Sequence, residues 1–295
     1  MSFGDLDFAL SIGGFIAGII VGLTGMGGAA LVTPMLVLLF GIDPAAAVSS
    51  DVVASAFMKP VGSYVHIRAH TVHWGLVTWL SAGSIPGVLV GTFIFAKVLT
   101  TPDASATIKT WIGWVLLLAV TAMVVKVFVG RRAKGMREQI TTMGTEMPIR
   151  PVPTVLLGAF VGLLVGMTSV GSGSLIVTTL LLLYPLLRPS ILVGTDLTQA
   201  VPMLIAGAIA HAGFGEISVA VVVSLLIGQI PGVWIGARMS SRYDGHALRW
   251  LLMVVLSATA LKLLGVSSLI AGMIALVGVA VVIVMIVRER MHVTT

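Results

Sequence analysis

The sequence contains no cysteine. A disulfide framework and a thiolate metal site are thereby excluded, and the redox compartment is left open. Charge is scarce as well: 9% of the 295 residues are Asp, Glu, Lys or Arg, against roughly 25% in a soluble domain. No GxxxxGK[ST] occurs, which removes an ATP motor of the phosphate-loop kind. No GxSxG or comparable nucleophile-and-base frame is present, and no histidine stands in an HExxH frame. Neither an enzyme, nor a cofactor, nor a bound metal is expected. The N-terminal MSFGDLDFAL has no basic region and no small-residue cleavage site, so no removable signal peptide is read there.

What fills the chain is apolar: 58% of the residues, with a mean hydropathy of +1.12. Apolar segments run over 8–23, 28–41, 45–67, 74–97 and 108–130; after a polar stretch, 131–152, come 153–168, 172–186, 190–212, 216–238, 246–264 and 266–287. Crossing hydrocarbon takes roughly 20 residues. Most segments meet that length, but the adjacent pairs 8–23 with 28–41 and 153–168 with 172–186 fall short. The fold class expected is all-α, a polytopic membrane helix bundle of 9–11 transmembrane segments. The count depends on whether each short pair crosses twice or re-enters. Run length, and the lack of alternating segments of about 10 residues, exclude a β-barrel.

The net charge of +6 does not point to nucleic acid, because the basic residues sit in short loops between apolar runs, where the positive-inside rule puts them. Arg131, Arg132, Lys134, Arg137 and Arg150 assign 131–150 to the cytoplasm. Arg238, Arg242 and Arg249 do the same for 239–248, Arg68 with His66, His70 and His73 for 68–73, and Arg288 with Arg290 for the C-terminus. Asp5 and Asp7 suit an N-terminus outside.

The chain also repeats itself. VGLTGMGGAALVTP at 21–34 returns as VGMTSVGSGSLIVT at 165–178, an offset of 144 positions. After one inserted residue the offset becomes 145: Ser50-Asp51 matches Thr195-Asp196, His66 matches His211, and Ile85-Pro86-Gly87 matches Ile230-Pro231-Gly232. The two copies begin on opposite sides, which makes an inverted-topology repeat of the kind secondary transporters use. The expected organisation is a first membrane repeat over 8–130, a cytoplasmic linker over 131–152, a second repeat over 153–264, and a last transmembrane helix with a cytoplasmic tail over 265–295.

Thr24-Gly25-Met26-Gly27-Gly28 and Thr168-Ser169-Val170-Gly171-Ser172 interrupt apolar sequence. Backbone broken at membrane depth must be buried in protein or line a cavity. Each break precedes a second short helix, whose free N–H groups and positive dipole end suit an anion. The alternative is that the glycines only allow close helix packing. Asp51 and Asp196 are intramembrane carboxylates, a functional hypothesis by default; proton coupling is one reading, capping of local backbone the other. Lys59 lies eight residues after Asp51 on about the same helix face. It either pairs an anion or Asp51, or snorkels to the surface. Its counterpart is Leu204. Gln199 either lines the same cavity or bonds a neighbouring helix. His66 and His211 end the matched helices; His66, His70 and His73 are read as interfacial, and Lys97, Lys126 and Lys262 as snorkelling. The Pro-Gly pairs are read as kinks or hinges, with close packing as the alternative.

GIIVGLTGMGGAALVTPML followed by SSDVVASAFMKPVGSYVHIRAHTVHWGLV resembles the first repeat of the sulfite exporter TauE/SafE family. VGMTSVGSGSLIV with LVGTDLTQAVPMLIAGAIAHAGFGEI and LLIGQIPGVWIGARMSSR is similar to its second repeat. The resemblance covers about residues 10–265. It implies ATP-independent movement of sulfite, a sulfonate or a related sulfur-containing anion across a cytoplasmic (inner) membrane. The glycine-rich segments and the polar residues that begin the following helix would line the path. The expected substrate-binding set is Thr24, Gly25, Gly27, Gly28, Ser50, Lys59, Thr168, Ser169, Gly171, Ser172, Thr195 and Gln199, with Asp51 and Asp196 for proton coupling. The expected partners are a small anion, protons and the lipid bilayer. A small-anion channel without coupling is the nearest alternative; a non-transporting membrane subunit and an intramembrane enzyme with an Asp51–Asp196 dyad are the remote ones.

Overall fold

The structure, a computed structural model, describes residues 7–24, 29–140, 148–213, 216–239, 246–274 and 276–278. Its helices are α1 (Phe8–Thr24), α2 (Ala29–Leu38), α3 (Pro44–Arg68), α4 (Trp74–Leu99), α5 (Ala104–Ile140), α6 (Pro151–Thr168), α7 (Ser172–Leu183), α8 (Pro189–Ala212), α9 (Val219–Met239) and α10 (His246–Leu263). A further short apolar helix covers Ser268–Gly278. There is no strand among the described residues. α4, α5 over Ala104–Lys126, α6, α8 and α9 are long and apolar enough to cross a membrane. α3 is as long, and its own sequence carries the buried polar residues that lower its hydropathy.

Local sequence explains where the elements start. α3 and α8 both open on a proline, Pro44 and Pro189, whose fixed φ and missing N–H suit the first helical position. Asp43 caps α3, its carboxylate accepting from the Ala45 N–H at 2.9 Å. α5 continues through Ile140, into the stretch read as a cytoplasmic linker. Arg, Lys, Met, Glu and Gln, which dominate 131–140, propagate a helix well once it has left lipid.

Each short pair is an antiparallel hairpin. The Tyr184 hydroxyl, at the end of α7, accepts from the Arg150 N–H at 2.8 Å and meets Thr154 Oγ1 at 2.7 Å, at the start of α6. Gly13, near the start of α1, lies against Met35, near the end of α2. Both ends of each pair therefore emerge at one end of the bundle, as they would in two short crossings or in one re-entrant turn.

The repeats interlock about a pseudo-two-fold axis. α1 runs parallel to α9, and α6 runs parallel to α4, so the first helix of each repeat packs on the fourth helix of the other. α3 and α8 run antiparallel across the axis: Ser49 meets His211, and Ser63 meets Thr198. Glycines make both parallel pairs possible. A Cβ on Gly14, Gly18 or Gly22 would strike the backbone of α9, and one on Gly158, Gly162 or Gly166 the backbone of α4. Gly228, Gly232 and Gly236, with their counterparts Gly83, Gly87 and Gly91, face back in the same way. Gly87 and Gly232, read from sequence as possible hinges, are thus contact points in continuous helices. Small residues that let backbones meet are the usual means of packing helices in lipid. The side-chain clusters repeat too: Val21, Met58, Leu197 and Val233 form one, and their counterparts Val165, Met203, Val52 and Val88 lie together in another.

Candidate functional site

Among the described residues, three formally charged side chains lie inside the bundle. Asp51 and Lys59 of α3 and Asp196 of α8 are each at most 1% exposed. Lys59 does not snorkel. Its Nζ reaches Ser172 Oγ at 3.4 Å, on the first residue of α7, and it lies within electrostatic reach of both carboxylates. Lys126 of α5 lies within electrostatic reach of Asp196 as well.

The second break has the geometry its residues suggest. Ser169 closes α6 in the left-handed region, φ 61°. Gly171 precedes α7 at φ 119°, with no side chain capping the helix. The first N–H groups of α7 have no intrahelical acceptor, and Lys59 stands beside them. Thr168 Oγ1 donates to the Leu164 carbonyl at 2.7 Å and accepts from the Val170 N–H at 3.2 Å, which closes the last turn of α6. In the first break, Thr24 Oγ1 likewise donates to the Ile20 carbonyl at 2.6 Å. Gly25, Gly27 and Gly28 lie outside the described residues.

The two aspartates occupy matched positions but have different surroundings. Asp51 Oδ2 accepts from Thr33 Oγ1 at 2.6 Å and from Ser169 Oγ at 3.1 Å, and Oδ1 from Ser55 Oγ at 3.4 Å. Donors from α2, α3 and the second break thus converge on it. Asp196 Oδ1 accepts from Gln199 Nε2 at 3.4 Å, and Gln199 Oε1 accepts from Ser84 Oγ of α4 at 3.2 Å. Asp196 Oδ2 is buried without a hydrogen-bond partner. Neither carboxylate caps a helix start, which sets aside the capping reading. The antiparallel crossing places them on opposite sides of its midpoint, about 20 Å apart along the axis at 1.5 Å per residue. That separation is incompatible with an acid–base dyad.

Ser50 and Thr195 sit apart from the break. Ser50 Oγ accepts from the Ser218 N–H and Thr195 Oγ1 from the His73 N–H, both at 3.0 Å. Each hydroxyl ties the start of the fourth helix of the opposite repeat. His66, expected at the interface, is buried, and its match His211 is fully buried and bonded inside the bundle. Sequence reading missed Thr33, Ser55 and Ser84. Only Ser55 had a local signal, one turn after Asp51 on the same face. The other two reach the site through tertiary packing.

The chain matches the family described as Sulfite exporter TauE/SafE over residues 10–263. It is 34% identical over 260 residues, 88% of this chain and 100% of the relative, to "Probable membrane transporter protein YjnA" of Bacillus subtilis (strain 168). It is 27% identical over 232 residues, 77% of this chain and 87% of the relative, to "Probable membrane transporter protein YdhB" of the same organism. No solved structure matches it.

Proposed function

From the premise that the chain belongs to the sulfite exporter TauE/SafE family, and so is a multi-pass membrane transporter rather than an enzyme, we propose that it moves a small sulfur-containing anion such as sulfite or a sulfonate, coupled to protons, by alternating access between its two inverted repeats. The observation that carries the reading is Lys59, a fully buried cation whose ammonium reaches the first residue of an uncapped helix inside a chain break. Fixed positive charge and unpaired N–H groups together suit a compact oxyanion. Lys59, Ser169, Gly171 and Ser172 form the binding half next to the second break. Thr24, Gly25, Gly27 and Gly28, matched to them by the sequence repeat, supply the other half, Thr168 shapes the turn, and Gln199 positions Asp196. Ser50 and Thr195 hold the rim of the path through the chain starts they anchor.

Two buried carboxylates would repel an anion, and protonation removes that repulsion. Asp196 and Asp51 are therefore the proton-carrying groups. The family resemblance supports a place in the cytoplasmic (inner) membrane, and the loop charges support an N-terminus outside and a C-terminus in the cytoplasm.

Flux measurements in proteoliposomes test this. Vesicles loaded separately with sulfite, sulfoacetate, taurine and thiosulfate, with a pH-sensitive dye inside, should show saturable flux with proton movement for at least one sulfur oxyanion. Asp51→Asn and Asp196→Asn should abolish the proton movement. Currents that do not saturate and carry no coupled proton would favour a channel; no flux of any anion would end the substrate assignment.

A further inference from the structure

The pseudo-two-fold gives many contacts of one repeat a twin in the other, and some matched pairs are made on one side and open on the other. His66 and His211, the matched residues near the ends of α3 and α8, are such a pair. His211 Nε2 lies 3.0 Å from the Gly166 carbonyl, and its Nδ1 lies 3.0 Å from Ser49 Oγ. A carbonyl only accepts, so Nε2 carries the proton. The ring also packs on Phe95, with centroids 4.9 Å apart. The Gly166 carbonyl belongs to the last turn of α6, where helix carbonyls lose their intrahelical partners. His211 thereby ties α8 to the end of the broken helix, to α3 and to α4.

The twin is incomplete. The residue that matches Ser49 is Gly194, which has no hydroxyl, and His66 Nδ1 meets Thr71 Oγ1 instead, at 2.9 Å; its Nε2 is buried without a hydrogen-bond partner among the described residues. A buried polar atom left unpaired is unfavourable and calls for an explanation. The carbonyl that matches Gly166 belongs to Gly22, in the last turn of α1. Val21, next to it, packs with Val193 of α8, and the backbone of the adjacent Gly194 lies against His66. Val193 and Gly194 thus bring the end of α1 and His66 to the same turn of α8.

We propose that His66 and His211 are alternating latches on the two breaks. In the state seen here His211 holds the end of α6 through the Gly166 carbonyl, and His66 is released. In the opposite-facing state His66 takes the Gly22 carbonyl, and His211 lets Gly166 go. Both histidines act as positioning residues: they set where each broken helix stops and do not touch the substrate. The inference rests on the alternating-access reading above.

The absence of native cysteine makes the test clean. Ser55→Cys places one thiol beside the centre, and membrane-impermeant maleimide is added outside or trapped inside proteoliposomes of known orientation. The ratio of the two labelling rates reports which way the centre opens. In this background His211→Ala should raise labelling from the side of the α8 C-terminus at least 3-fold, and His66→Ala should lower it by a similar factor. His211→Gln, whose amide can donate to the same carbonyl, should return the ratio toward that of the parent. Both alanine variants moving the ratio in one direction, or neither moving it, would overturn the latches. If His211→Ala does not fold, the opposite signs expected for His66→Ala and for its rescue by His66→Gln still decide the matter. The ratio needs no substrate: a shift as expected, in a protein that carries no sulfur anion, keeps the latches and removes the substrate. Saturable flux with an unmoved ratio removes the latches alone.

Discussion

Lys59 is the residue at which the two repeats differ most in chemistry, since Leu204 holds the matched position. A buried ammonium is expensive to desolvate, and truncating one member of a buried charged group is worse than replacing it with a shape-matched apolar side chain. Lys59→Met keeps the length of the stem and removes the charge. If Lys59 holds the anion, the variant should reach the membrane in normal amount yet bind its anion about 10- to 150-fold more weakly. That is the range of a lost hydrogen bond to a charged group, about 1.5–3 kcal/mol. Anion-dependent thermal protection of the purified protein measures this directly: wild type gains melting temperature with rising anion, and Lys59→Met gains none at the same concentrations. Protection that survives in Lys59→Met would move the anion away from α7.

The elements meet through glycine, and this was only partly legible beforehand. The matched pairs Gly22 with Gly166, Gly87 with Gly232 and Gly91 with Gly236 stand out in sequence as repeats. Their partners across the interface do not, because which helix lies opposite is settled by tertiary packing. The breaks, the short helices and the buried charged residues were readable from hydropathy. The interlocking of α1 with α9 and of α4 with α6 was not, nor were the hydroxyls of Thr33 and Ser84, which reach Asp51 and Gln199 from separate helices. The packing has a sharp consequence. A Cβ on Gly228 would overlap the Ser11 carbonyl of α1, and one on Gly83 the Val155 carbonyl of α6. Backbone cannot move aside as a flexible side chain can, and overpacking typically destabilises by about 1–3 kcal/mol. Gly228→Ala and Gly83→Ala should each lower the melting temperature by several degrees, whereas Gly272→Ala, with nothing within 4 Å, should leave it unchanged or slightly raised, because alanine is the better helix former. Equal melting temperatures for all three would mean that the parallel helix pairs are looser than the structure has them.

At the scale of the whole molecule, hydropathy left open whether each short pair crosses the membrane or turns back, because a pair leaves the sidedness of everything after it unchanged. The 12 residues of α7 fall short of the roughly 20 that a crossing takes, which favours turning back; the hydrogen bonds of Tyr184 to Arg150 and Thr154 hold the two ends of the pair together. They also fix which loops share a side. If α6 and α7 form a re-entrant hairpin, Arg150 and the exposed Arg188 emerge together, on the side of the 68–73 loop. The exposed Thr101 and Glu216 lie on the opposite side, since α4 runs from the 68–73 loop to Thr101 and α8 leads away from Arg188 toward Glu216. Single-cysteine variants at these four positions, in a chain with no thiol of its own, should fall into two classes toward an impermeant reagent applied to intact cells. Thr101→Cys and Glu216→Cys should label without permeabilisation; Arg150→Cys and Arg188→Cys should label only after it. Were α6 and α7 two separate crossings, Arg150 and Arg188 would still fall on one side, so a fifth position is needed. The break between the two helices supplies it. Val170, fully buried among helices, should resist the reagent from either side when changed to cysteine, as a hairpin tip at mid-depth must. Rapid labelling of Val170→Cys from outside in intact cells would place that turn at the outer surface, and would replace the re-entrant hairpin with two thin crossings.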